Sequence, residues 1–392
     1  MLLLLPLCGG CPSGGDGEGQ ATGTAASGGS SAPALPAVKV ALVQTDLGLD
    51  DGYLVRDAAE TLAELAARGA VEYQPVGSLP QPMPAPATSF EFGLPVDGSG
   101  KPGEMTLVEA ELLLDEVAPT EWLLLSNWLL LEPALKRIAD GSLAAELVLL
   151  LDDQGLLAPL ADPPVPVYAV SYDIRVIGFV SGVVAAQSSN NGMFIVLAGE
   201  LDPHAQDYLD AVWAGAKYHT NGAVVAEAIL PMNDRTGLVE PEIFRGVHQE
   251  IKAQKGDYFM CNHYIIAAGR STATLLYSLA QQPTNAFVVG AYGDLRQARP
   301  ARVLGCGLKY PSAALEYIIA KPNSGDLAAL ADERGFIQVG LEQGAVGFTD
   351  FEMYAGYHPD GDDIAEAAAN VWAEIAADEL DVARLIEQHR GD

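Results

Sequence analysis

Basic residues are scarce in this chain: 21 Lys and Arg stand against 52 Asp and Glu in 392 residues, a formal net charge of −31 at pH 7. Such a surface repels the phosphates of nucleic acids and of anionic lipid headgroups, which argues against nucleic-acid binding. The charge is spread without long single-sign blocks, the pattern of a solvated acidic surface rather than a docking tail. Cysteine is nearly absent. Of the four, Cys8 and Cys11 lie at the N-terminus, and Cys261 and Cys306 sit in apolar runs without metal-ligand spacing; one disulfide and two buried thiols both remain open. The six histidines, His204, His219, His248, His263, His358 and His389, show no ligand pairing and read as surface or satisfied interior residues. There is no Gly-x-Ser-x-Gly nucleophile elbow, and the turn Asp46 to Gly52 is acidic where a phosphate loop must be neutral or basic. Beyond the leader no apolar run reaches about twenty residues, Trp122 to Leu131 and Leu147 to Leu151 coming nearest, so the body is expected to be soluble.

What is present begins with the leader. Leu2 to Leu5 precede Cys8-Gly9-Gly10-Cys11 and a Gly/Ser/Ala/Thr tract that reaches Pro36. This run is too short to span a bilayer and ends on small residues and a Cys. That is the pattern of a signal peptide, residues 1–11, cut where Cys11 is lipidated. Two features depart from it: no Lys or Arg precedes the apolar run, and the run is short. Acylated Cys11 would anchor the protein to a membrane in the cell envelope, in the periplasm or on the outer surface. Residues 12–37 cannot bury enough apolar surface to offset chain entropy and read as a flexible tether. About 355 residues remain, suited to two lobes.

The body alternates short β-branched runs with helical patterns. Val38 to Thr45 reads as a strand covered on both faces and leads through an acidic turn to the helix Val55 to Ala67. The rhythm returns in strands Val165 to Val170, Met193 to Ala198, Val224 to Leu230, Tyr258 to Asn262, Ala286 to Tyr292 and Val303 to Leu308. The helices between them are Val176 to Gln187, Ala205 to Tyr218, Glu240 to Gln254, Ser271 to Gln281 and Ser312 to Ile319. So many strand-helix units imply an α/β fold of two doubly wound parallel sheets. Leu79 to Pro119 reads as loops with one helix, Leu107 to Glu116, and Ile364 to Glu379 as an amphipathic helix closing the chain.

Ligands of open α/β sheets sit beyond the carboxyl ends of the strands. The candidates there are Asp46, Asp50, Asp51 and Tyr53; Asn127 and Trp128; Met232, Asn233 and Asp234; Asn262 and His263; Tyr292 and Asp294; and Lys309. Carboxylates accept from hydroxyls, aromatic faces stack on a ring, and Lys or Asn orients a heteroatom, which suits a polar organic ligand with an aromatic part. Asp46, Asp50 and Asp51 could hold a metal or do acid/base work, whereas Asp50 or Asp51 capping the next helix is the simpler reading. Lys309, closing an apolar strand, needs a carboxylate partner or a ligand.

The run Lys39-Val40-Ala41-Leu42-Val43-Gln44-Thr45-Asp46-Leu47-Gly48-Leu49-Asp50-Asp51-Gly52-Tyr53, behind its lipoprotein-like leader, resembles the opening of the basic membrane protein (BMP) family of ABC-transporter substrate-binding lipoproteins. Gly178 to Ala186 is similar to the family's aromatic-Leu-Ala-Gly helix. Ala214 to Lys217, Val288 to Asp294, Gly307 to Lys309 and Val339 to Phe348 follow in family order, so the resemblance covers Lys39 to about Phe351. It implies a type I periplasmic binding protein-like fold, two lobes joined by a hinge, with purine nucleosides as ligands. Asp46 and Lys309 match positions that contact the nucleoside. The loop after the first strand is one residue short, however, and lacks the family's Ser-Phe-Asn. Met232 and Tyr292 stand where an aromatic residue and an Asp are expected, and the Gly-Gly-Thr-Gly turn is replaced around Asn262 and His263.

The expectation is a lipid-anchored solute-binding protein that captures a small polar ligand, needs no cofactor or metal, catalyses nothing and serves an ABC permease. Its ligand residues are Asp46, Asp50, Tyr53, Asn127, Trp128, Met232, Asn262, Tyr292, Asp294 and Lys309. The lobes are drawn as residues 38–168 with about 293–325, and 169–292 with about 326–355, followed by a C-terminal helix in 356–392. The rivals are an envelope sensor or interaction lipoprotein on the same scaffold, and a nucleoside or sugar hydrolase using Asp46 to Asp51 with a metal.

Overall fold

The computed structural model describes residues 37–45, 49–79, 106–189, 193–220, 223–232, 263–267, 287–294, 302–320, 324–350 and 361–390, with residue 296 and isolated positions between 239 and 253. At 49–53, 219–220, 223–226, 263 and 324–326 it describes the backbone alone. The chain divides into two units, Met1–Pro36 and Ala37–Asp392, and every described residue falls in the second. Cys11, Asp46, Asn262 and Cys261 therefore lie outside the described residues. So do the expected strand Tyr258 to Asn262 and helix Ser271 to Gln281.

Among the described residues two six-stranded sheets organise the fold. The first contains β1 (Val38–Val43), β2 (Val71–Val76), β3 (Thr120–Leu125), β4 (Ala145–Leu150), β5 (Val167–Tyr172) and β11 (Phe336–Val339), ordered β11-β5-β4-β3-β1-β2 and parallel throughout. The second contains β6 (Met193–Gly199), β7 (Ala223–Leu230), β8 (His263–Ala267), β9 (Phe287–Gly290), β10 (Val303–Lys309) and β12 (Val346–Phe348), ordered β12-β10-β9-β8-β6-β7. Its pairings are parallel except that β12 runs antiparallel to β10. Helices cover the sheets, so their central strands are apolar on both faces: the last four residues of β1, β3, β4 and β5, and all seven of β10, are buried. This is an α/β arrangement of two doubly wound sheets. Among the described residues no helix is long and apolar enough to cross a membrane.

Among the described residues the helices are α1 (Leu49–Ala67), α2 (Leu107–Leu113), α3 (Leu131–Asp140), α4 (Ile174–Ser188), α5 (Ala205–Thr220), α6 (Pro311–Ile319), α7 (Ser324–Leu330), α8 (Gly361–Ala376) and α9 (Val382–Arg390). Helix α4 is apolar all round because it is buried all round, lying on sheet two between α5 and α8. Its contact with α5 is backbone on backbone: a Cβ on Gly182 would lie 2.2 Å from the Val212 carbonyl oxygen, and one on Gly215 would lie 2.0 Å from that of Phe179. Only glycine allows helices to approach so closely.

Sheet membership corrects the lobe division drawn from sequence. The chain crosses between the sheets after β5, after β10 and between β11 and β12, so β10 joins sheet two while β5 and β11 join sheet one. The stretch 293–325 is therefore split. Its strand pairs with β9, and its helix α6 docks on α1, where the Ser312 amide donates to Asp57 Oδ2 at 2.7 Å and Arg68 pairs with Glu316 at 3.0 Å. An apolar strand carries no signal in itself of which sheet it will enter; neighbouring strands decide. The crossings lie side by side, for the Asp173 amide donates to the Val339 carbonyl at 2.8 Å and that of Tyr310 to the Ala345 carbonyl at 2.8 Å. Strands β2, β4, β11 and β12 were not read as strands from sequence, β8 begins at His263 where the sequence reading placed the end of a strand, and α9 adds a second helix after α8.

Candidate functional site

The strand ends of the two sheets meet at the crossings through three short loops. Beyond β4 come Asp152 and Asp153, and beyond β6 come Asp202 and His204. Tyr292 follows β9, and Lys309 is the last residue of β10. The Gly155 amide donates to the Leu201 carbonyl at 2.7 Å, tying the loop of sheet one to that of sheet two.

Lys309 is 2 % exposed and its Nζ donates to both oxygens of Asp152, each at 2.9 Å. The same nitrogen lies 4.0 Å from the ring centre of Tyr292 and 5.2 Å from that of Tyr172. Burial works against the ammonium, but the carboxylates of Asp152, Asp153 and Asp202 outweigh it and hold its pKa above the ordinary lysine value. The partner that an apolar strand ending in Lys requires is therefore Asp152, from the other sheet.

His204 makes the second bridge. Its Nε2 lies 2.9 Å from Ser171 Oγ on β5 and 3.1 Å from Asp153 Oδ2, and its ring meets Phe336 of β11 edge-on at 6.2 Å. The bond to Asp153 raises the imidazole pKa against the opposing effect of burial, with Asp202 and Asp207 adding to the rise. Asp153 is 2 % exposed, and burial pushes its carboxyl up to about 6, partly countered by His204.

Tyr292 completes the cluster in an unusual backbone conformation, with φ at 77°. A buried aromatic residue in the left-handed region stores about 1 kcal/mol or more of strain, which the surrounding structure must hold in place. Two contacts do so. Its hydroxyl donates to Asp202 Oδ2 at 2.5 Å, and its ring faces Lys309. Burial is the main cause raising the phenol pKa, and Asp202 adds to it, so Tyr292 stays protonated.

The structure thus brings Tyr292 and Lys309 together, while Trp128 packs against Gly155. The Trp128 ring lies flat on Gly155, where φ is +81° and a Cβ would fall 2.2 Å from Trp128 Cδ2. Its indole Nε1 is buried with no hydrogen-bond partner among the described residues. Asn127 serves a local purpose: its Oδ1 accepts from the Leu129 amide at 3.0 Å and caps the short helix Trp128–Leu130. Met232 is buried, its amide donating to the Glu200 carboxylate at 2.7 Å. Asp294 is not in the cluster but is gripped by Arg296 at 2.9 and 2.7 Å; burial opposes its ionisation, yet the guanidinium holds its pKa below the usual value. Asp50 and Tyr53 lie in the first turns of α1, and their side chains are not described.

Sequence reading missed Asp152, Asp153, Asp202 and His204. The first two follow the Leu147 to Leu151 run, which was weighed only as a membrane segment, although an apolar strand ending in Asp-Asp is itself a strand-end signal. Among the described residues no group of three or more His, Cys, Asp or Glu is placed to hold a metal ion. Cys306 is buried in β10, its amide donating to Thr349 Oγ1 at 2.9 Å. A cavity of about 520 Å³ lies apart from the cluster, between α4, β12 and α8, lined by Val180, Tyr310, Phe348, Thr349 and Trp372.

No family model matches the chain, and no curated protein matches it. Among solved structures, it is similar to an ABC transporter solute-binding protein from Aeropyrum pernix K1, with 16 % identity and TM-score 0.48 over 91 % of this chain and 90 % of that one. It is similar also to a transcriptional activator of the comK gene from Bacillus halodurans, with 13 % identity and TM-score 0.49 over 86 % and 97 % of the two chains. A third is an ABC transporter periplasmic solute-binding protein from Actinobacillus succinogenes 130z with bound D-allose, with 10 % identity and TM-score 0.43 over 82 % and 100 %.

Proposed function

We propose that this chain is an extracytoplasmic solute-binding protein whose two lobes close on a small polar ligand and present it to an ABC permease. The observation that carries this reading is the meeting of charged and aromatic side chains from the strand ends of both sheets, Asp152, Asp153 and Tyr172 from one and His204, Tyr292 and Lys309 from the other, beside three adjacent crossings. Crossings of this kind can flex as a hinge while each lobe moves as a body. A solute that touches both lobes stabilises the closed arrangement by its differential contacts, so binding and closure are one event, and no bond is made or broken.

The finer parts of the proposal rest on sequence. The resemblance to the BMP lipoproteins supports a purine nucleoside as ligand, with Asp46 among its contacts, and the leader supports a lipid anchor at Cys11. A thermal-shift screen of the protein against nucleosides, nucleobases, sugars, polyols, amino acids and amines tests the first. A ligand at a hundred times its dissociation constant adds about 2.7 kcal/mol to stability. A shift with purine nucleosides, lost in Asp46→Ala, is the expected result. A shift confined to another class replaces the ligand and keeps the function, and no shift with any class removes solute capture in favour of a sensor or interaction protein. Metabolic labelling with a palmitate analogue, abolished by Cys11→Ser, tests the anchor.

A further inference from the structure

The Lys309 ammonium sits in surroundings suited to an organic cation. One carboxylate, Asp152, accepts from it through both oxygens at 2.9 Å, and the rings of Tyr292 and Tyr172 lie 4.0 and 5.2 Å away. A carboxylate together with aromatic faces is the means by which proteins hold alkylammonium groups out of water. The parts come from both lobes, Asp152 and Tyr172 from the loop and end of sheet one, Tyr292 and Lys309 from sheet two. They are also held firmly. Tyr172 donates its hydroxyl to the Leu151 carbonyl at 3.1 Å, and Tyr292 keeps its ring in place from a backbone with φ of 77°, its hydroxyl fixed on Asp202. Around the ammonium, Asp152, Asp153 and Asp202 outnumber the basic groups Lys309 and His204.

We propose that Lys309 is a tethered occupant of an ammonium subsite shared by the two lobes, which the primary ammonium of a solute can enter by competing with Lys309 for Asp152. The inference deepens the solute-binding reading and rests on it for the word solute, but the subsite can be tested without knowing the natural ligand. Lys309→Ala keeps the Cβ and removes three methylenes and the nitrogen, the size and charge of n-propylammonium.

Thermal unfolding of full-length Lys309→Ala is followed against n-propylammonium chloride, with sodium chloride and 1-propanol as controls. The expected result is a saturable rise of several degrees in Tm, in roughly the millimolar range that four heavy atoms allow. It should be much weaker in the wild type, where the ammonium must displace Lys309 from Asp152, and absent in Lys309→Ala/Asp152→Asn. A rise of equal size in all three proteins, or no rise in any, overturns the subsite. Should Lys309→Ala not fold unaided, refolding in the presence of n-propylammonium becomes the readout, and failure to recover the native circular dichroism overturns the proposal equally. The two readings fail separately. A solute that binds the wild type and Lys309→Ala/Asp152→Asn alike removes the ammonium subsite and leaves solute binding intact; rescue by n-propylammonium with no solute found in the broad screen does the reverse.

Discussion

Lys309→Met deletes the ammonium and keeps most of the side chain's length and volume, so it isolates the charge in the bridge to Asp152. The two side chains are only 3 % and 10 % exposed. Breaking a buried pair by removing one partner costs about 3–5 kcal/mol, because the remaining charge stays desolvated without compensation. Asp152→Leu alone should cost a similar amount by stranding the ammonium. The double variant Lys309→Met/Asp152→Leu strands neither charge. It should return to within about 2 kcal/mol of the wild type, since a buried pair replaced by packed apolar side chains is often neutral. A double-mutant cycle should then give a coupling of about 3 kcal/mol or more, against about 0.5 kcal/mol for independent sites. The assay is urea unfolding of all four proteins, followed by circular dichroism and tyrosine fluorescence, with free energies compared only where the two probes coincide. Additive losses, or a double variant worse than either single one, would refute the claim that these two charges stabilise each other across the lobes.

Three further outcomes follow from the same geometry. Tyr292→Phe removes the hydroxyl that Asp202 accepts and leaves a buried carboxylate oxygen short of a partner, costing about 1–3 kcal/mol of stability in urea while Lys309 keeps its aromatic face. Gly215→Ala places a Cβ 2.0 Å from the Phe179 carbonyl oxygen and must push α4 and α5 apart, so its Tm should fall by more than that of an ordinary exposed helix substitution, and an unchanged Tm would show that the helices are not in backbone contact. The pH dependence has a defined sign. His204 has a raised folded pKa, so its contribution is full below the ordinary value of 6.5 and is lost as pH rises through the folded value. Asp153, raised from 3.8 to about 6, likewise favours the folded state on the acid side of its window. Stability should therefore decline from near pH 4 towards pH 8, and His204→Gln should flatten the upper part of that decline; a wild-type profile flat across this range would remove the pair as a titrating bridge.

The α/β class, the double winding and several strand-helix units were legible in sequence because buried parallel strands are short continuous apolar runs and their covering helices keep a 3.6 period. Lys309 and Tyr292 were legible too, one as a charge closing an apolar strand and the other as the residue after one. Strand β4 was obscured by its own hydrophobicity. Leu147 to Leu150 reads as a greasy run, since periodicity cannot separate a doubly covered strand from any other short buried segment. Overlooking β4 also hid Asp152 and Asp153 at its end.

By itself the sequence determined the elements, their apolar faces and the acidic surface, all of which depend on local spacing and composition. Only the tertiary structure decided which sheet β10 and β11 would enter, that Asp152 would face Lys309 across 157 residues of chain, and that His204 would lie between Ser171 and Asp153. Those pairings are set by the three crossings between the lobes. Such long-range proximity leaves no periodic mark on the residues it joins.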